Sequence, residues 1–456
     1  MRILGIGEYC DLGAMYHRLQ DAGHEVRVFI ESPSSQDVFA GMLERCDDWS
    51  QQLGWVREAG RDGLVLFESA LKGQLQDDLR RDGFQVIGGS ALGDRLEADR
   101  AFGQQSLRAF GLPTAATHAF NDFRQARAFV ERHPRRYVFK NNGADSPRSR
   151  NYIGQLDDGQ DMCALLSLYQ SQTETQIRNG NGHGNGHGNG HGNGHFTPQP
   201  CTPDFVLMEH LQGVEVGVGA YFNGHAFLDA VCMDWEHKRF FPGDLGELTG
   251  EMGTIVSYRG ARKIFDATLG LMTPALREGG YCGYINLNLI ANAEGLWPLQ
   301  FTSRFGYPGF AICQMLHEHG WGQIFRTLLD RQSLSMATRP GFAAGVVLTV
   351  PPFPYAQGYE ELAKGSPICL QNMTPADHAA LHFAEVARIN AHLVTSGATG
   401  YVGVATGAGN SVNEAADRAY RLARKVIVPN LRFRTDIGDK VIRHDLAHLT
   451  ELGYIG

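Results

Sequence analysis

Apolar positions run without a break through "RILGIG" at 2–7, as a strand buried on both faces requires. The period then lengthens. In "DLGAMYHRLQDAGHE" apolar residues return at helical spacing until a glycine, which predicts an amphipathic helix. "VRVFI" restores the strand pattern, so the chain opens as a βαβ unit. "GLVLFES" and "FQVIGGS" repeat the strand character on either side of the helical "ALKGQLQDDLRRDG". Residues 1–98 therefore read as a small parallel α/β domain.

"LEADRAFGQQSLRAFGLPTAATHAF" predicts one helix, a Gly-Leu-Pro stop and an extended segment, and "RRYVFKNN" a strand that ends near Lys140. "DFVLMEHLQGVEVGVGAYFNGHAF" is a run of strands with a turn at "NGH", and "INLNLIANAEGLWPLQFTSRFG" is strand, turn and strand. Both belong to an antiparallel sheet in a middle domain, 99–335. "AAGVVLTVPPFPY" and "GYVGVATGAGNSVNEAADRAYRLARKVI" then predict a smaller α+β domain over 336–456. One segment fits no element. "NGNGHGNGHGNGHGNGH" at 179–195 has no apolar side chain to bury and reads as a flexible, solvated insertion. Its histidines at 183, 187, 191 and 195 lack a helix to align them, so the expectation is an insertion and not a metal site.

Bulk properties narrow the function without naming it. At 456 residues the chain is too long for one ordinary core, and 43% apolar with 20% charged residues fits a globular protein. A net charge of −8, with no stripe of Lys and Arg, argues against direct nucleic-acid binding. No apolar run approaches the roughly 20 residues that cross a bilayer, and "MRILGIGEYC" lacks a signal-peptide layout. The 8 cysteines are scattered with no CxxC pair, as expected of reduced thiols in the cytoplasm.

Single motifs are weak. "GIGEYCDLG" follows a strand but does not match GxGxxG, and no GxxxxGK[ST] loop is present. "GDLGELTGEMG" at 243–253 is a polar, glycine-rich loop whose amides can cradle an anion, or simply a surface loop. Their order is more telling. "VIGGSALGDRLEADRAFGQQSLRAFGLPTA", "FVLMEHLQGVEV", "DWEHKRFFPGDLGELTGEMG", "LQFTSRFGYP" and the segment from "GYVGVATGAGNSVNEAADRAYRLARKVIVPNLRFRTDIG" stand in the sequence of the ATP-grasp ligases. Within them the chain resembles the glycinamide ribonucleotide synthetases (phosphoribosylamine–glycine ligases) over most of its length.

That resemblance implies an α/β and α+β ATP-grasp fold and an ATP-dependent ligase that joins a carboxylate to an amine through an acyl phosphate. ATP and Mg2+ are the implied cofactors, and small molecules the implied partners of a monomer or homodimer. Carried over residue by residue, Arg100 (where the family has lysine) and Lys140 contact phosphates. Main-chain groups near Glu209 and Leu211 hold adenine, and Glu215 takes the ribose hydroxyls or a metal-bound water. Lys238 and Arg304 steady the acyl phosphate, as fixed cations beside developing negative charge should. Asp244, Thr249, Gly250, Met252 and Gly253 contact substrate, and Gln300 and Thr302 occupy the metal positions.

The departures carry equal weight. The family's "GNGGREHAL" loop, which belongs to its phosphoribosylamine site, is "GEYCDLGAM" here, and its proline-glutamate pair is "FESAL", with Glu68 as a shifted remnant. Its phosphate lid is "NNGADSPRSRNYIG", where Arg148 and Arg150 stand in for lysine. Glutamate and asparagine on the metal strand have become Gln300 and Thr302, which keep oxygens and lose charge. Two readings follow: an active ligase with a rebuilt amine pocket, or a catalytically silent relative that binds nucleotide or a partner.

Overall fold

The computed structural model describes residues 1–141, 151–180 and 204–456, without the side chains of 175–180. Arg148, Arg150 and the 179–195 tract beyond residue 180 lie outside the described residues. The chain divides into two compact units, one of residues 1–114 with 213–456 and one of residues 115–212.

The larger unit opens with the βαβ pattern legible in the sequence. Strands β1 (Arg2–Gly7), β2 (Glu25–Ile30), β3 (Glu44–Arg45), β4 (Gly63–Phe67) and β5 (Val86–Ile87) form a parallel sheet in the order β3-β2-β1-β4-β5. β1 and β4 have almost no polar residue because both of their faces are covered, as parallel strands demand. The stretch expected to be one helix is two, Ala91–Ala98 and Arg100–Ala109. Asp99 makes the break: its backbone is extended and its side chain accepts from Phe102 N, capping a new helix. Arg100 thereby becomes the first residue of that helix.

The smaller unit holds β6 (Thr117–Phe120), β7 (Tyr137–Asn141), β8 (Tyr152–Ile153) and β9 (Phe205–Glu209), an antiparallel sheet ordered β6-β9-β7-β8. Phe139, Phe205 and Leu207 from the sheet pack with Val130, Met162 and Leu166 from the helices Phe123–Arg132 and Gln160–Gly180.

The rest of the larger unit is dominated by an eight-stranded antiparallel sheet. Its strands are β10 (Val214–Asn223), β11 (Phe227–Phe241), β12 (Leu245–Ser257), β13 (Cys282–Asn292), β14 (Gly295–Thr302), β15 (Phe342–Thr349), β17 (Leu381–Phe383) and β20 (Tyr401–Gly409). The order is β14-β13-β10-β11-β12-β15-β20-β17, so strands from either side of residue 335 share one sheet. The short strands β16 (Pro367–Leu370), β18 (Val386–Ile389), β19 (His392–Thr395) and β21 (Val426–Ile427) make a separate sheet. One face of the large sheet carries Val216, Val218, Trp235, Ile255, Leu287 and Leu289 into the main core. The strict period of two then sends the alternate residues to the other face.

Candidate functional site

That other face is polar where the core face is apolar. Trp235 and His237 of β11 are fully buried on the core side, so Asp234, Glu236 and Lys238 project from the opposite side. Antiparallel register places Gly217 of β10 opposite both Asp234 and Asn288. On β13, Asn286 and Asn288 lie opposite Thr302 and Gln300 of β14. Directly opposed residues share a face, so Gln300, Thr302, Asn286, Asn288, Asp234, Glu236, Lys238 and Glu215 stand on one surface.

Charge arranges this surface. Lys238 Nζ lies 2.5 Å from Glu215 Oε1 and 3.0 Å from Glu236 Oε2. Burial works against the ammonium, but the two carboxylates overcome it and raise its pKa above the ordinary lysine value. Asn286 and Asn288 reach across β10 to donate to Asp234 Oδ2 at 2.6 Å and to Glu236 Oε2 at 3.0 Å. They can do so because β10 is glycine at 217 and 219. A Cβ at Gly217 would collide with the Asp234 carboxyl, and one at Gly219 with the Tyr284 hydroxyl. Asp234 is pushed up to about 7, first by burial and then by Glu236. Glu251 of β12 is raised well above the usual carboxylate range, again by burial first and Glu236 second.

The remaining candidates fall in several surroundings. Arg304 Nε is held 3.1 Å from Glu97 Oε1, while Ser303 N donates to Glu97 Oε2 at 2.7 Å. Its cation therefore belongs to an ion pair at the end of the helix Ala91–Ala98. The expected glycine-rich loop at 243–253 is instead a turn at Pro242–Asp244 that runs into β12, because its backbone pairs with β11. Asp244 in that turn lies 2.8 Å from the buried Arg434, which also pairs with Asp436. Thr249 donates to Lys238 O at 2.8 Å and so ties β12 to β11. Met252 is fully buried against Phe240 and Phe353, which leaves only its backbone for a ligand. Gly250 lies beside the Tyr401 hydroxyl, and a Cβ at Gly253 would collide with Gly345 O. In the smaller unit Lys140 is on β7 opposite Val206, and Leu211 follows β9. Glu209 Oε1 is 2.7 Å from Arg135, and its N–H donates to Ala116 O. Motif reading missed Asp234, Asn286, Asn288 and Glu251. The alternation in "MDWEHK" and "INLNL" was the available signal, since polar residues at every second place in buried strands must face something.

The N-terminal loop has a separate logic. Glu68, 1% exposed, ends its strand beneath the loop and accepts from Asp11 N at 2.8 Å. Gly7 makes this possible, since a Cβ there would collide with the Glu68 carboxyl. The Asp11 N–H, two residues ahead of the helix Gly13–Asp21, thus already faces an internal carboxyl group.

No protein-family model matches the chain. Phosphoribosylamine–glycine ligase of Streptococcus pneumoniae is 26% identical over 386 residues, spanning 82% of this chain and 83% of that protein. The Listeria monocytogenes enzyme of the same name is 24% identical over 411 residues, 85% and 90% of the two chains. Among solved structures, phosphoribosylamine–glycine ligase of Thermotoga maritima superposes with a TM-score of 0.67 at 22% identity, covering 96% of this chain and 100% of that one. The biotin carboxylase domain of Hydrogenobacter thermophilus 2-oxoglutarate carboxylase, solved with MgADP and bicarbonate, gives 0.61 at 10% identity over 99% and 98%. The fold is therefore ATP-grasp, and the chain resembles the phosphoribosylamine–glycine ligases over most of its length.

Glu68 yields a pH prediction. Burial, then Asp11, lifts its pKa to about 8, so the native state holds a proton that the unfolded chain releases near the ordinary carboxylate value. Where the native state binds more protons, stability falls as pH rises, here from the unfolded value through about 8. Glu68→Gln keeps the acceptor for Asp11 N–H and removes the titration. Relative to wild type, its urea midpoint should improve steadily between about pH 5 and pH 8, by at most about 1.4 kcal/mol per unit. Parallel midpoints over that range would contradict the assignment.

Proposed function

We propose that this ATP-grasp chain is an ATP-dependent carboxylate–amine ligase that forms an amide through an acyl phosphate. The observation that carries the reading is the likeness to phosphoribosylamine–glycine ligases across four-fifths of both chains. The polar sheet face supports it: a fixed ammonium, neutral oxygen ligands and carboxyl groups stand over a dry apolar core, where charge acts most strongly. A catalytically silent relative is not favoured.

The residues present fit magnesium delivered with ATP. Gln300 is exposed and Thr302 half-buried at the sheet edge, each with an oxygen to offer. Magnesium accepts neutral oxygens and retains waters, and the nucleotide phosphates bring the negative charge that β14 lacks. Bound there, it would neutralise the phosphates during transfer. In this reading Arg100 and Lys140 hold phosphates, the chain at Glu209 and Leu211 holds adenine, and Glu215 takes ribose or a metal-bound water. Lys238 and Arg304 are pre-placed cations whose carboxylate partners fix them until the acyl phosphate forms. Thr249, Gly250 and the backbone at Met252 and Gly253 shape the substrate wall, with Asp244 securing the turn before β12. The segments 1–98, 99–335 and 336–456 serve as its N-terminal, ATP-grasp and C-terminal domains, and the enzyme works as a cytoplasmic monomer or homodimer.

The acceptor amine is not a phosphorylated sugar amine. A phosphate dianion needs free N–H donors or cations, and at the N-terminal loop the Asp11 N–H already faces Glu68.

Release of ADP and phosphate, measured across a panel of amino acids and amines, tests both points. Turnover should require one carboxylate and one amine together, and phosphoribosylamine should serve weakly or not at all. Absence of ADP with every pair would contradict the ligase reading, and robust glycinamide ribonucleotide formation would contradict the altered acceptor. Gln300→Glu adds a carboxylate at the proposed metal position and should lower the magnesium concentration needed for half-maximal turnover. An unchanged magnesium dependence would remove β14 from the metal site.

A further inference from the structure

The polar face holds more carboxyl groups than its lysine can engage. Glu215 and Glu236 are engaged by Lys238. Asp234, 6% exposed, accepts from Asn286 through Oδ2, but its Oδ1 has no hydrogen-bond partner. Glu251, 8% exposed, likewise leaves Oε1 without one. The two sit in one electrostatic neighbourhood: Glu251 is raised by burial, then by Glu236 and Asp234, and lowered by Lys238. An unmatched buried acceptor is costly to leave in place. Two such acceptors on adjacent strands mark a place for a ligand that brings positive charge and N–H donors.

A divalent metal is the poorer match. Among the described residues no group of three or more His, Cys, Asp or Glu side chains is placed to hold one. An ammonium needs only acceptors at hydrogen-bond distance and no octahedral shell.

We propose that Asp234 and Glu251 bind the ammonium group of the small primary amine that this enzyme acylates, and that Asp234 takes its proton. The acylation step rests on the ligase reading; the ammonium site does not. In that step the ammonium gives one proton to the Asp234 carboxylate, and the freed nitrogen lone pair attacks the carbonyl carbon of the acyl phosphate. The C–N bond forms, the C–O bond to phosphorus breaks, and the departing phosphate carries away the second nitrogen proton. The groups around Asp234 suit this role. Glu236 and Lys238 flank it on β11, Glu215 faces it from β10, Asn286 from β13 and Glu251 from β12. Burial first, then Glu236, raises Asp234 to about 7 against the pull of Asn286 and Lys238, and near that value a carboxyl both accepts and returns a proton.

Calorimetric titration of the full-length protein with ethanolamine, with ethylene glycol as its uncharged counterpart, tests the site. Both are run with and without a nonhydrolysable ATP analogue. Ethanolamine should bind and ethylene glycol should not, and below the Asp234 value binding should release protons, read from its dependence on buffer ionisation heat. Asp234→Asn and Glu251→Gln, which preserve shape, should each weaken ethanolamine binding about tenfold or more, the loss of one charge-assisted hydrogen bond. The wild-type comparison needs no variant, so a folding failure in either leaves the test intact. Equal binding of the two compounds, or none of ethanolamine under either condition, would overturn the proposal. So would tight binding of MgCl2 alone that excludes ethanolamine, which would mark a metal site. Ethanolamine binding without ADP formation under any condition would leave the ammonium site standing and remove the ligase reading.

Discussion

A lysine ammonium held between two carboxylates on the middle of a sheet is the constraint on which the site depends. Lys238 cannot stay charged on a buried face unless it is paired, and pairing it costs the desolvation of Glu215 and Glu236. The neighbouring strands are built to meet that cost. Asn288 donates to Glu236 and Asn286 to Asp234, and β10 is glycine at the two places where a side chain would block the reach. On the reverse side of the same strands Trp235, Ile255 and Leu287 seal the core. Removing any one polar member leaves another buried and unmatched, so the set behaves as a unit.

The strands were legible from their apolar and alternating runs, while the polar face of the large sheet was missed although period two is strict in buried sheets. "DWEHK" and "INLNL" announce alternation. Motif order supplied the ATP-grasp fold, the ligase and its cofactors. What remained hidden had physical causes. The helix break at Asp99 looks like any acidic residue in a helical run until its carboxylate is seen capping Phe102 N. Of the partners of Lys238, Glu236 is two residues away on the same strand, but Glu215 comes from β10, 23 residues away, a pairing that no local pattern encodes. Gln300 and Thr302 stood out as a loss of charge on β14. The counterweight lay on other strands: Asp234 became visible only through the register of the sheet, and Glu251 only past a register shift in β12.

Charge has thus moved within a retained scaffold. β14 offers neutral oxygens, while the carboxyl groups sit on β10, β11 and β12, beside a lysine already satisfied. At the N-terminal loop the buried carboxyl group of Glu68 accepts from the Asp11 amide. Both features suit the positively charged, unphosphorylated acceptor proposed above.

The central claim is that this sheet face transfers the γ-phosphoryl of ATP to a carboxylate before any amine takes part. Positional isotope exchange reads that step directly. ATP labelled with oxygen-18 in the β-γ bridge is incubated with enzyme, magnesium and the carboxylate alone, and phosphorus NMR follows the label. Reversible acyl-phosphate formation should scramble the bridge oxygen into the β-nonbridging positions only when the carboxylate is present. Bound ATP whose bridge label never scrambles, with a carboxylate that supports turnover once amine is added, would contradict the account.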